Sequence, residues 1–184
     1  MTRRAHICWF TGLSGAGKST IAEGVRQRLE AQGLAALVLD GDVVRTQLHP
    51  HLGFSAEDIQ ENNRRIALRC VELRETADVI LVPIISPYAA SRAEARALLT
   101  PGFSEVYCDA DLACVARRDV KGLYARAARG EITNMIGYTA ESPYEPPDSP
   151  DCVLHTGADT IVRSVETLEA FMRSARVVVR AGVV

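Results

Sequence analysis

One stretch constrains this chain more than any other. Residues Gly12-Leu13-Ser14-Gly15-Ala16-Gly17-Lys18-Ser19 fit the pattern G-x-x-x-x-G-K-[ST] without a gap. An apolar run, His6 to Thr11, precedes it and reads as a short buried strand. Thr20 to Gln32 follows, with Ile21, Val25 and Leu29 at helical spacing and Gly33 as the stop. Strand, glycine turn and helix are the context in which this pattern cradles phosphate. Glycines let successive backbone N–H groups point into one concavity, and the helix adds the positive end of its dipole. Lys18 is placed to reach β- and γ-phosphates, and the Ser19 hydroxyl to ligate Mg²⁺.

The rest of the chain alternates in the same way. Leu34 to Leu39 reads as a second strand ending at Asp40-Gly41-Asp42, and Glu57 to Thr76 as a long polar-faced helix. Val79 to Ile85 is a continuous apolar run, the pattern of a central parallel strand covered on both faces. Helices are expected over Ser91 to Leu99, Leu112 to Arg129 and Ile161 to Ser174, and strands over Ser104 to Cys108 and Val153 to His155. The fold class this implies is α/β: a single P-loop NTPase-like domain built on a doubly wound parallel sheet. Its 184 residues suit one domain, and 47% hydrophobic content supports a substantial core. Gly137 to Asp151 holds four of the eight prolines and reads as a long functional loop.

Several classes are disfavoured. A net charge of −2 without a basic block gives no reason to expect a nucleic-acid partner. Five cysteines without a CxxC pair speak against a disulfide framework or zinc ribbon, and for buried reduced thiols in a cytoplasmic protein. The apolar run before Gly12 is too short for a signal peptide or membrane span, so no membrane partner is expected. The four histidines show no metal spacing, and Trp9 reads as core. No Asn-Lys-x-Asp guanine reader is present, and Ile84-Ile85-Ser86 ends its strand without an acid. Asp40-Gly41-Asp42 is then the source of acid near the phosphates. Asp42 is the candidate base, with a helix N-cap as the plainer alternative, and Asp40 a supporting residue. Arg64, Arg65, Arg69 and Arg74 can form a solvated helix face with Glu61 and Glu72. That is the preferred reading for Arg69 and Arg74, and remains open for Arg64 and Arg65.

The sequence resembles the adenylylsulfate kinase (APS kinase) family. The matching stretches are Gly12 to Thr20, Asp40-Gly41-Asp42 with Arg45, Leu52-Gly53-Phe54-Ser55, Glu61-Asn62 and Arg64-Arg65. They continue with Ile85-Ser86-Pro87-Tyr88, Arg118-Asp119, Lys121-Gly122-Leu123-Tyr124, Gly130-Glu131-Ile132 and Pro143-Tyr144-Glu145. The resemblance implies a transferase of sulfate assimilation, which uses ATP and Mg²⁺ to phosphorylate the ribose 3′-hydroxyl of a nucleotide such as adenylylsulfate. It also implies a homodimer. On that likeness Gly12 to Thr20 bind ATP and Arg118 lies over its adenine. Asp42 is the base. Arg45, Asn62 and Arg65 hold the acceptor, Phe54 stacks on its base, and Lys121 and Leu123 line the same pocket. A mobile lid is implied from Arg117 to Arg129, extending to about residue 150. Ser86 carries two readings: a phosphorylated intermediate, or a hydroxyl that bonds the acceptor. The second is preferred, because in-line transfer between two bound substrates needs no covalent step.

Three positions depart from the family pattern. Val43 replaces an amide after Asp42, Ile59 replaces a guanidinium after Asp58, and Met135 replaces the second aromatic of a base-stacking pair unless Tyr138 takes its place. Losing one charged contact to an anionic ligand costs about 1.5–3 kcal/mol, roughly ten- to a hundredfold in affinity. The departures therefore raise an alternative: a kinase of the same family whose acceptor has another base or a group in place of sulfate. A small-metabolite alcohol kinase is a further alternative, though Phe54 and Asn62 serve no purpose there. A binding module without chemistry is disfavoured by Lys18, Ser19 and Asp42.

Overall fold

The computed structural model describes residues 4–41, 43, 44 and 51–177. Asp42 and Arg45 lie outside the described residues. Five strands form one sheet: β1 His6–Thr11, β2 Ala36–Val38, β3 Val79–Val82, β4 Phe103–Cys108 and β5 Cys152–Leu154. Their order is β2-β3-β1-β4-β5, and every pair is parallel. Helices α1 Lys18–Glu30, α2 Ala56–Leu73, α3 Ala89–Leu99, α4 Leu112–Arg118, α5 Leu123–Ala128 and α6 Ile161–Ser174 complete the described elements.

β1 is the middle strand, and alternation explains why it is apolar throughout. Cys8 and Phe10 point into one core with Val25 and Leu29 of α1 and Leu168 of α6. Ile7 and Trp9 point into the other, with Ile66 and Cys70 of α2 and Ala95 and Leu99 of α3. β3 does the same, with Val79 and Leu81 on the first face and Ile80 and Val82 on the second. Burial on both faces is what the continuous apolar runs anticipate. The five free cysteines are buried, and no described helix is long and apolar enough to cross a membrane.

The structure corrects several expectations. The β3 ladder ends at Val82, before Pro83, which has no N–H to give a ladder. Leu112 to Arg129 is not one helix. Asp119 breaks it with φ +30° and then caps α5, Oδ1 accepting from the Tyr124 N–H at 3.0 Å and Oδ2 from the Ala125 N–H at 2.9 Å. Arg74 is not on a solvated face. It is buried and donates to the Leu99 and Pro101 carbonyls, tying the end of α2 to the end of α3. Arg69 does lie on the surface, paired with Glu72 at 2.6 Å.

His6 opens β1, and its Nε2 lies 2.8 Å from Ser104 Oγ. Burial lowers its pKa from 6.5 to about 4, only partly opposed by Asp151. The folded state therefore binds this proton more weakly than the unfolded chain. Stability from neutral His6 is complete above about pH 6.5 and is lost as pH falls through about 4. The melting temperature should fall across that window. In His6→Gln the fall should be shallower, measured by thermal unfolding at stepped pH.

Candidate active site

Parallel strands bring their carboxyl ends to one edge of the sheet, where open α/β folds bind ligands. Here that edge gathers Thr11 at the end of β1 and Gly12 after it, Asp40 after β2, Ser86 after β3 and Asp109 after β4. Gly12 has φ +147°, and a Cβ there would lie 2.7 Å from the Cys108 carbonyl oxygen. The first glycine is thus demanded by the close approach of β4. Gly15 and Gly17 are demanded by their left-handed φ of +79° and +88°.

The loop delivers the chain to α1, whose N-cap is Gly17 and which no side chain caps. By contrast Ser55 caps α2, Thr160 caps α6 and Asp111 caps α4 through their side-chain oxygens. An uncapped helix start facing glycine-rich backbone fits a phosphate. Lys18 is buried at its mouth, with Nζ donating to the Gly12 carbonyl at 2.8 Å and the Leu13 carbonyl at 2.7 Å. Ser19 Oγ donates to Asp40 Oδ2 at 2.6 Å. That hydroxyl–carboxylate pair offers hard oxygens beside the phosphate position, which suits Mg²⁺. Asp40, expected as a supporting residue, is thus joined to the first turn of α1. Among the described residues no cluster of three His, Cys, Asp or Glu is placed to hold a metal. Mg²⁺ in phosphoryl-transfer sites relies on few protein ligands, so the pair remains a fit.

Ser14 and Ala16 complete the loop, and Thr20 is exposed on the first turn of α1. Tyr124 of α5 donates its hydroxyl to the Ser14 carbonyl at 2.9 Å, joining the arginine-rich segment to the loop. Arg118 is exposed and donates to the Thr156 carbonyl at 2.7 Å, just past β5. Leu123 begins α5 half-buried, and Lys121 is exposed in the turn before it.

On the opposite side, Phe54 is 58% exposed, and its carbonyl lies 3.5 Å from Asn134 Nδ2. Residues near 134 therefore close one side of the Phe54 region. Asn62 is buried on α2. Arg64 and Arg65 both pair with Glu61, at 2.7 and 2.5 Å, and Arg65 Nη1 also lies 3.0 Å from His51 Nε2. Hydrogen bonds from the two arginines hold the Glu61 carboxyl down at about 2. Arg64 thus follows the solvated-face reading, while Arg65 is held between two elements.

Ser86 is buried with φ +43°. Its neighbours are residues to which sequence reading gave no site role. Thr11 Oγ1 donates to the Ile85 and Ser86 carbonyls, at 2.9 and 3.1 Å, and lies 2.9 Å from the Tyr144 hydroxyl. Burial raises the Tyr144 pKa, so that hydroxyl stays protonated. Glu145 holds the start of α3, Oε2 accepting from the Ala89 N–H at 2.6 Å. The Pro143-Tyr144-Glu145 stretch is the one sequence sign of this arrangement.

Two of the three departures are buried. Ile59 and Met135 are only 4% and 6% exposed, and Met135 packs with Leu13 and Tyr124 in the core. Val43 is 50% exposed. Tyr138, weighed above as the second stacking aromatic, stands outside that core. It lies partly exposed, edge-on to Tyr124 with ring centroids 6.0 Å apart.

The family model for adenylylsulphate kinase matches residues 4–155. This chain belongs to the adenylylsulfate kinase family. An adenylyl-sulfate kinase from a Synechococcus species is 45% identical over 174 residues, covering 95% of this chain and 98% of its own length. Among solved structures, the Mycobacterium tuberculosis APS kinase in complex with AMPPNP and APS superposes with a TM-score of 0.87. It is 41% identical and covers 92% of this chain and 98% of that one. A hexameric APS kinase from Thiobacillus denitrificans gives a TM-score of 0.69 at 28% identity, covering 97% of this chain and 30% of the other.

Gly12→Ala should weaken ATP binding at least tenfold, because the added methyl must displace either the Cys108 backbone or the loop. Gly33→Ala is the control. Its φ is +78° but nothing lies within 4 Å. It should lower stability by about 1 kcal/mol and leave ATP affinity unchanged, as read by calorimetry and thermal unfolding.

Proposed function

We propose that this protein transfers the γ-phosphoryl group of ATP to the ribose 3′-hydroxyl of adenylylsulfate. The observation that carries this reading is the near full-length match, at a TM-score of 0.87, to an APS kinase solved with AMPPNP and APS. The site chemistry supports it. When phosphate enters the loop, Lys18 exchanges its carbonyl partners for phosphate oxygens. Ser19 and Asp40 would hold Mg²⁺, which would supply positive charge to neutralise the donor phosphates. Arg118 covers the ATP adenine beside the Thr156 carbonyl.

Asp42 accepts the proton of the attacking 3′-hydroxyl. Phe54 stacks on the acceptor base, and Arg45, Asn62, Arg65, Lys121 and Leu123 orient its ribose and anionic end. Residues 117 to about 150 act as the lid over a single domain. Loose phosphoryl-transfer transition states gain mostly from such positioning and positive charge. We also place the enzyme in solution as a homodimer.

An ADP-release assay with mass analysis of the product decides the matter. Adenylylsulfate should gain one phosphoryl group, and ADP release should depend on it. Turnover on a different nucleotide, with adenylylsulfate inert, overturns the choice of acceptor. Lys18→Ala should lower kcat by roughly 10²–10³. Asp42→Ala should abolish turnover and spare ATP affinity. Near-full activity in Asp42→Ala removes Asp42 as the base.

A further inference from the structure

Ser86, at the sheet edge, is held by four side chains. Its carbonyl accepts from Thr11 Oγ1 at 3.1 Å and from Arg92 Nη1 at 2.9 Å. Arg92 is itself buried and paired with Glu105 at 2.7 Å. Its hydroxyl accepts from Trp9 Nε1 at 3.0 Å and from Asn63 Nδ2 at 3.2 Å. These contacts come from β1, α2 and α3. Together they hold a serine at φ +43°, a conformation that persists only when its surroundings over-determine it.

The two bonds to Ser86 Oγ set its polarity. A hydroxyl has one hydrogen and two lone pairs. The indole N–H can only donate, and the Asn63 amide nitrogen donates as well. Both lone pairs are thus occupied, and the single hydrogen points along the direction that remains. An oxygen in this state can give a hydrogen bond. It cannot attack phosphorus, because attack needs a lone pair presented to phosphorus and a base to take the proton. Donors occupy the first, and among the described residues no carboxylate or imidazole is bonded to Oγ.

We propose that Asn63 and Trp9 are positioning residues that hold the Ser86 hydroxyl as a hydrogen-bond donor to the acceptor nucleotide, so that no phosphoserine forms during turnover. This rests on the acceptor reading above and extends it to two residues outside the phosphate loop. Asn63 adjoins Asn62, so one turn of α2 serves the acceptor pocket twice.

Trp9 is the only tryptophan in the chain, so its indole N–H gives a single nitrogen-correlated NMR signal. In free protein that signal should move upfield in Ser86→Ala, and Asn63→Leu should perturb it less. Adenylylsulfate should shift it in the wild type. In kinetics, Ser86→Ala, Asn63→Leu and Trp9→Phe should each raise the adenylylsulfate KM about tenfold, the loss of one hydrogen bond. KM for ATP should be unchanged and kcat should stay within about threefold. The double variant Ser86→Ala/Asn63→Leu should be no worse than Ser86→Ala, since the two act through one hydroxyl.

Three results overturn the proposal: an indole signal indifferent to Ser86→Ala, an acceptor KM indifferent to both Ser86→Ala and Asn63→Leu, or a Ser86 peptide that gains a phosphoryl mass with ATP at a rate matching turnover. A wild type inert on adenylylsulfate overturns the assigned reaction instead. The donor state of Ser86 is then still decided by the free-protein signal of Ser86→Ala and Asn63→Leu.

Discussion

β1 is the strand on which the rest of the structure depends. It is paired on both edges and buried on both faces, so its register is held from four directions. That rigidity is delivered to its last residues. Trp9 and Thr11 reach sideways to Ser86, and Gly12 turns against the Cys108 carbonyl before the phosphate loop begins. A slip of one residue in β1 would exchange its two faces and displace the glycine loop and Ser86 together. One strand therefore sets the distance between the two halves of the site.

Much of this was legible in the sequence because it depends on local pattern. The bounds of β1 and α6 follow from apolar periodicity, and the loop from its glycines. Trp9 was rightly placed in the core, but its indole N–H has a second use, bonding Ser86 across 77 residues of chain. No local pattern shows such a bond. Arg74 failed for the same reason. A polar residue at a helix end looks solvated until the carbonyls of Leu99 and Pro101 are brought to it. The break in Leu112 to Arg129 was missed because alanines and arginines favour helix on both sides of Asp119, and only its backbone geometry marks the interruption.

The candidate site was legible unequally. Lys18, Ser19 and the glycines form a contiguous motif, and their arrangement follows from it. Ser86, Asn62 and Phe54 were singled out through a family resemblance, which names residues but not their partners. Asn63 had no signal of its own. Asp40 was overshadowed by Asp42 until the Ser19 hydroxyl was seen to reach it. Tyr144 and Glu145 lie in the proline-rich stretch, where sequence shows a loop but not that it folds back onto Thr11 and the start of α3.

The Glu169 side chain of α6 has a mechanical consequence. Nearly buried, it accepts from Arg28 and Gln32 at the α1 end and from Arg173 on its own helix. Gly24 lets the two helices touch, since a Cβ there would lie 2.8 Å from Val165. The helix that follows the glycine loop is thereby riveted to the helix that follows β5. α1 and α6 thus brace one another by charge as well as by packing, whereas the left-handed backbone of Asp119 and Gly122 leaves the arginine-rich segment in short pieces.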